Sequence, residues 1–266
     1  MEQPKKNFKI VSDTRARVIL PNLLTLIGVC IGLSSINFAL NQNYNLAIIA
    51  ILCAAIIDGL DGRIARLIKG TSKVGKELDS LTDVISFGVA PSLIMYFWFL
   101  NTLGRIGWFL ALIHVVCVAL RLARFNISSY QESSWKDNFF EGIPSPAGGI
   151  LVLAPLIYEI SSLNFTIINM NIFVPLIFIL IPMLMISKIP TYSFKKIVIQ
   201  RKFTIFLLFG IVLLFGLLLI FPFNALLVCS AIYLFSIPFS IFHYLKIKKN
   251  KLQNLKTSTD EPEDVL

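Results

Sequence analysis

Two stretches of the sequence place carboxylates at helical spacing inside apolar surroundings. In LCAAIIDGLDGRIARLIKG, Asp58 and Asp61 are three residues apart, and apolar residues recur through Leu60, Ile64, Leu67 and Ile68. In GKELDSLTD, Asp79 and Asp83 are four apart. Residues at these spacings share a helix face, so each pair presents both carboxylates in one direction. Four unpaired aspartates at helix centres would cost up to roughly 10–14 kcal/mol on membrane-insertion scales. Two compensations are open. Arg63, Arg66, Lys69, Lys73 and Lys76 could pair with the acids. Alternatively the acids hold a divalent cation, which relieves the mutual repulsion of four converging carboxylates directly. The chemistry of the set favours the cation: oxygen-only ligands, without His or Cys, suit Mg²⁺ or Mn²⁺.

The elements that must position these acids are membrane helices. Of 266 residues, 56% are hydrophobic and only 15% charged, with a mean hydropathy of +0.78. A soluble domain carries about 25% charged residues, and disordered or disulfide-rich chains depart from these numbers further. Eight apolar segments can be read: Leu20–Leu40, Leu46–Ile57, Leu81–Leu100, Gly107–Ala119, Ala147–Ser161, Ile172–Ile186, Phe203–Phe221 and Leu226–Tyr244. The helix ending the second segment is expected to run on through Asp58, Asp61 and Arg66. It breaks at Gly70-Thr71-Ser72, and the next opens near Gly75. The fold class is therefore an all-α polytopic membrane protein with about eight transmembrane helices.

The net charge of +9 reports topology. With alternate connections assigned to opposite sides, 23 of the 24 Lys and Arg fall on one side, and only Arg105 falls on the other. Positive-inside logic puts both termini and the aspartates at the cytoplasmic face of the inner (cell) membrane. Basic residues there meet anionic lipid headgroups; no aromatic-interleaved basic stripe points to nucleic acid. The four cysteines, Cys30, Cys53, Cys117 and Cys229, lie inside apolar runs without CxxC spacing and read as small buried hydrophobes. The first apolar run lacks a small-residue cleavage site, which argues against a removed signal peptide. Residues 1–19 form a basic N-terminal segment in which Phe8–Val18 has the pattern of a short interfacial helix. Residues 246–266 read as a solvated cytoplasmic tail. No inverted repeat of the transporter kind is evident. His114 and His243 sit on or at the ends of apolar segments, where local hydrogen bonds are the expected role.

The pattern Asp58-x2-Asp61-Gly62-x2-Ala65-Arg66-x8-Gly75-x3-Asp79-x3-Asp83 resembles the signature of the CDP-alcohol phosphatidyltransferase family at every fixed position. Eight specified residues at fixed spacing arise by chance about once in 10¹⁰ starting positions at average residue usage. The resemblance implies a six-helix catalytic core, here residues 20–187, two divalent metal ions and a cytidine diphosphate lipid as donor. Residues 188–245 would then be a basic loop with two additional transmembrane helices. It further implies that Asp58, Asp61 and Asp79 ligate metal, and that Asp83 touches the second metal and takes the proton from the attacking alcohol. Gly62 and Ala65 would leave room for the nucleotide, although small residues also serve tight helix packing. Arg66 would bind the diphosphate, or pair with an aspartate; Gly75 would permit the close turn into the third helix. Members are often homodimers, but no interface is readable here.

Three further stretches, LPNLLTL, SFGVAPS and ALRLARFN, and the loop ending FEGIPSP resemble the integral-membrane branch whose acceptor is L-serine. The expected reaction transfers a phosphatidyl group from CDP-diacylglycerol to the serine hydroxyl, giving phosphatidylserine and CMP in phospholipid biosynthesis. An amino-acid acceptor needs a cation for its carboxylate, and Arg121, Arg124 and Asn126 at the end of the fourth segment are the candidates. Ordinary interfacial anchoring is their alternative role. Glu141 and Asp137 carry a weaker case. Another alcohol, such as glycerol 3-phosphate, is the runner-up acceptor. A divalent-cation transporter is disfavoured, because its acids or broken helices belong near the bilayer midplane. A catalytically silent scaffold is disfavoured by the intact acidic set.

Overall fold

A computed structural model describes residues 14–68, 70, 72–128, 139–162, 169–192 and 204–259. Among the described residues the chain is all-α apart from one two-stranded ribbon. Its helices are α1 (Thr14–Leu40), α2 (Tyr44–Leu67), α3 (Lys73–Asp83), α4 (Ala90–Trp98), α5 (Arg105–Ser128), α6 (Ser145–Val152), α7 (Ala154–Ile160), α8 (Met170–Ile186), α9 (Thr204–Ile220) and α10 (Pro222–Thr259). A π-helical turn, Val84–Val89, joins α3 to α4 without a break. Among the described residues five spans are long and apolar enough to cross a membrane: Ile19–Leu40, Tyr44–Leu67, Lys73–Trp98, Arg105–Ile127 and Pro222–Leu245. Met170–Ile186 and Leu208–Ile220 are shorter apolar helices. This is an integral membrane protein.

Several boundaries differ from the sequence reading, each for a local reason. The segment Ala147–Ser161 is not one rod. Pro155 lacks the N–H that would bond Leu151, so the chain turns at Leu153 and α7 restarts. The third helix opens at Lys73, earlier than expected, because Ser72 caps it, its Oγ accepting from the Gly75 N–H at 2.9 Å. α10 continues through the basic stretch as far as Thr259. α1 takes in the end of the anticipated interfacial helix; residues 1–13, like Lys69, Thr71 and Asp137, lie outside the described residues. All four cysteines are free, as expected, but none is buried, and Cys30 and Cys53 are exposed on the surface.

α1 organises the site by packing against both α2 and α3. Its small residues set the spacing. A Cβ on Gly28 would meet Thr82 at 3.7 Å and Ile57 at 3.8 Å; one on Gly32 would meet Ser86 Oγ at 2.4 Å. Gly28 and Gly32 thus face Thr82 and Ser86 in a constant parallel register, the close approach that a small-xxx-small stripe permits. On the far side α6 is equally constrained. A Cβ on Gly149 would lie 3.0 Å from Phe87 Cα, and one on Gly148 would lie 2.5 Å from Met185 Sδ. The π turn is therefore enclosed between α1 and α6.

The ribbon pairs β1 (Phe139–Glu141) with β2 (Pro190–Tyr192), antiparallel, with Phe140 opposite Thr191. It ends in Gly142, whose φ of +72° is open to glycine and whose Cβ would lie 2.5 Å from the Met185 carbonyl oxygen. That turn leads straight into α6.

Candidate active site

Asp58 and Asp61 lie nine and six residues before the end of α2; Asp79 and Asp83 lie six and ten residues after the start of α3. The two helices run antiparallel, so at 1.5 Å per residue Asp61 and Asp79 are level about 9 Å inside the helix ends, with Asp58 and Asp83 about 14–15 Å in. The side chains converge accordingly. Carboxylate oxygens of Asp58, Asp61 and Asp79 all lie within 4.8 Å of one another. Asp83 lies beside Asp58 and closes the group from the deeper level.

Each buried carboxylate is half satisfied by protein. Asp61 is 3% exposed; its Oδ2 accepts from Thr25 Oγ1 at 2.7 Å and its Oδ1 has no partner. Asp83 is 8% exposed; its Oδ2 accepts from Ser145 Oγ at 2.5 Å, and its Oδ1 also has none. Unpaired charged oxygens are expensive to bury. A hard divalent cation supplies the missing partner, and the all-oxygen donor set fits one. The cluster Asp58, Asp61 and Asp79 can therefore bind a divalent metal.

The opposite wall carries the positive charge. Arg121, on α5, is 9% exposed and donates from Nη1 to Ser145 Oγ at 3.1 Å, so Arg121, Ser145 and Asp83 form one chain. Its Nε is buried without a partner.

This arrangement meets its counterpart in known sequences. The sequence model of the CDP-alcohol phosphatidyltransferase family matches residues 18–258, taking in the acidic cluster and running on through α9 and α10. The chain belongs to the CDP-alcohol phosphatidyltransferase family. Among individual relatives, a protein of Helicobacter pylori strain 26695 is 37% identical over 234 residues, covering 88% of this chain and 95% of its own length. One from Mycobacterium leprae is 45% identical over 140 residues, 52% of this chain and 46% of its own. One from Methanocaldococcus jannaschii is 36% identical over 183 residues, 68% of this chain and 78% of its own. All three are named CDP-diacylglycerol–serine O-phosphatidyltransferase. The chain spans about half the length of the mycobacterial relatives that it matches.

The remaining motif positions fall around the cluster. Gly62 is exposed with nothing within 4 Å of where its Cβ would be, which leaves open space beside the acids. Ala65 is half-buried one turn on. Arg66 is exposed and its Nε donates to the Gly62 carbonyl at 3.0 Å; with Arg63 and Leu67 it lines a hollow of about 340 Å³ at the end of α2. Gly75 does not form the turn itself: it sits in the first turn of α3, where a Cβ would lie 2.6 Å from Asn22 Oδ1 and 3.0 Å from Ser72 Oγ.

The three acceptor candidates separate. Only Arg121 is linked to the acids, through Ser145. Arg124 donates to the Ile186 carbonyl and pairs with Glu141 at 3.5 Å, tying α5 to α8 and the ribbon. Asn126 bonds Ser80 Oγ at 3.0 Å, tying α5 to α3. His114 reaches farther than a local bond: its Nε2 lies 3.1 Å from the Phe87 carbonyl in the π turn. Sequence reasoning missed Thr25 and Ser145 as site residues, although both lie in stretches that resembled the family. The signal for Ser145 was its place between Pro144 and Pro146 ahead of two glycines, the pattern of a helix start pressed against a neighbour.

Proposed function

We propose that this protein transfers the phosphatidyl group of CDP-diacylglycerol to the hydroxyl of L-serine, yielding phosphatidylserine and CMP. The observation that carries the reading is the geometry of Asp83. One of its oxygens is fixed by Ser145 and the other is free, beside a three-aspartate cluster on one side and a buried arginine on the other. The shared name of the relatives supports serine as the acceptor.

Asp58, Asp61, Asp79 and Asp83 would hold divalent metal, Mg²⁺ or Mn²⁺ and two ions by family resemblance, which neutralises the diphosphate and the charge that develops on its oxygens. Asp83 Oδ1 takes the serine hydroxyl proton, while Ser145 keeps the carboxylate from rotating away. The serine oxygen forms a bond to the lipid-side phosphorus, and the bond from that phosphorus to the bridging oxygen breaks, so that the bridging oxygen leaves with CMP. Gly62 and Ala65 leave space for the nucleotide, Gly75 lets α3 close against α1, and Arg66 lies along the diphosphate. Arg121 Nε receives the acceptor carboxylate; Arg124 and Asn126 hold α5 in place.

The basic face that bears the acids is assigned to the cytoplasm, with eight crossings of the cell inner membrane and both termini inside. On this reading residues 20–187 form the catalytic core, 188–245 the basic loop and appended helix pair, and 246–266 the tail. A homodimer is the expected assembly.

The test is incubation of purified protein with CDP-diacylglycerol, metal and a panel of alcohols, following CMP release and the lipid formed. Phosphatidylserine is the expected product. Product from glycerol 3-phosphate but not from serine would overturn the acceptor assignment, and no CMP with any acceptor would overturn the enzymatic reading.

A further inference from the structure

Where α3 passes into α4, one backbone carbonyl loses its regular partner. In an unbroken α-helix the Phe87 oxygen would accept from the N–H of residue 91, four positions on. Residue 91 is proline and has no N–H. The Ala90 N–H, for its part, reaches back to the Ile85 carbonyl. Phe87 is fully buried. In membrane helices a carbonyl freed by proline is met from a neighbouring helix. Here the neighbour is α5, whose His114 places Nε2 at 3.1 Å from the Phe87 oxygen. A carbonyl oxygen only accepts, so Nε2 carries the proton and His114 is the donor. The imidazole is itself fully buried and meets Phe178 of α8 edge-on, with ring centroids 6.0 Å apart. Its Nδ1 is buried without a partner. A leucine would occupy this place without burying that unmet atom, so the bond to Phe87 is what favours histidine here.

His114 belongs to a stripe. Val118 and Arg121 follow it by four and seven residues, which puts all three on one face of α5. Val118 packs on Gly88, where an added Cβ would meet it at 3.4 Å. Arg121 donates to Ser145 Oγ, and Ser145 donates to Asp83. One face of α5 therefore holds the π turn directly and the Asp83 side chain through Ser145. The π turn begins at the residue after Asp83, so any slackening of the turn moves that carboxylate first. The Asp79 end of α3 has separate ties, in the Ser72 cap and in Ser80, bonded to Asn126 at 3.0 Å.

We infer that His114 is a positioning residue for the transfer reaction: by donating to the Phe87 carbonyl it pins the π turn, and the pinned turn keeps the free oxygen of Asp83 at the acceptor hydroxyl. This rests on the proposed role of Asp83 as the group that takes the hydroxyl proton. His114 acts through the backbone and not on substrate or metal.

The experiment uses purified full-length protein in detergent. It compares His114→Leu, which fills the place without a donor, with His114→Gln, whose amide N–H reaches about as far as Nε2. Both are also made on the Asp83→Asn background, with radiolabelled CDP-diacylglycerol so that slow CMP release is measurable. His114→Leu should lower kcat about tenfold or more, the order of loss that a misplaced reacting group brings. The KM for CDP-diacylglycerol and the metal concentration for half-maximal activity should stay within about twofold of wild type, because the bond is not made to donor or metal. His114→Gln should recover most of the lost kcat. On the Asp83→Asn background His114→Leu should cost nothing further, the coupling expected of residues that act as one.

A full additional loss on that background would overturn the inference, as would His114→Gln performing no better than His114→Leu, or a kcat unchanged by either. A comparable rise in donor KM would mark a merely structural role and overturn it as well. Should His114→Leu not fold, His114→Asn takes its place, its amide too short to reach the carbonyl. Failure of the parent reading shows separately, as near-normal turnover of Asp83→Asn alone, and the inference falls with it. CMP release is followed with whichever alcohol the wild-type protein uses, so the identity of the acceptor does not bear on the outcome.

Discussion

The two walls of the site are built by opposite means. The acidic wall comes from two helices, four residues at spacings of three and four, held at the right separation by α1. The facing wall draws Arg121 from α5 and Ser145 from α6. Helical periodicity alone delivers the first wall. Only the closed tertiary structure delivers the second.

The largest effects should come from breaking the acidic wall. Asp58→Ala, Asp61→Ala and Asp79→Ala should each abolish CMP release and weaken metal binding, because each removes one oxygen of a cluster spanning 4.8 Å. Activity persisting at ordinary Mg²⁺ or Mn²⁺ concentrations in any of the three would break the shared-site geometry. Asp83→Asn comes next. Losing a proton acceptor costs about 10²–10⁴-fold in turnover. CDP-diacylglycerol affinity should suffer less than in Asp79→Ala, and equal loss of donor binding would make Asp83 mainly a ligand.

Crossing between the walls should be milder. Ser145→Ala leaves Asp83 Oδ2 and Arg121 Nη1 without their shared partner. Turnover should fall about 10–100-fold, the range for hydrogen bonds to charged groups, with metal dependence unchanged. Thr25→Val keeps shape but removes the 2.7 Å bond to Asp61. It should raise the metal concentration for half-maximal activity about tenfold, as loss of an outer hydrogen bond to a ligand does, while serine KM stays the same.

How far the sequence alone discloses each wall follows the same division. Asp58, Asp61, Asp79 and Asp83 are legible because their meaning lies within one or two turns of helix. Ser145 and Asp83 are 62 residues apart, and Thr25 and Asp61 are 36 apart; no local pattern announces either pairing. Arg121 and Arg124 are alike in sequence, and only the position of Ile186 and Glu141 distinguishes the structural tie from the site residue. The apolar segments were readable by length, but the break at Leu153 needed the consequence of Pro155 to be drawn. The ribbon joins residues about fifty positions apart across two loops and had no signal.

The smallest effect sharpens the contrast between the two arginines. Arg124→Ala removes a solvent-exposed ion pair with Glu141, 41% and 68% exposed at the two side chains. Such pairs contribute about 0–1 kcal/mol. The variant should melt slightly earlier in detergent and keep its serine KM, whereas Arg121→Ala should lose serine binding. Equal effects on serine KM would erase the distinction.

The π turn from Val84 to Val89 gives the helix that bears Asp79 and Asp83 a phase shift. The Ala90 N–H bonds the carbonyl of Ile85, five residues back rather than four. One residue more than the regular helix needs is thereby absorbed in place, between the polar part of the rod and the apolar part that carries the fully buried Ile94 and Met95. Each residue of an α-helix advances the angle by about 100°. Deleting a single residue here would regularise the helix and swing the carboxylates through about that angle relative to the core-facing side. The two ends of one helix are in this way clocked independently.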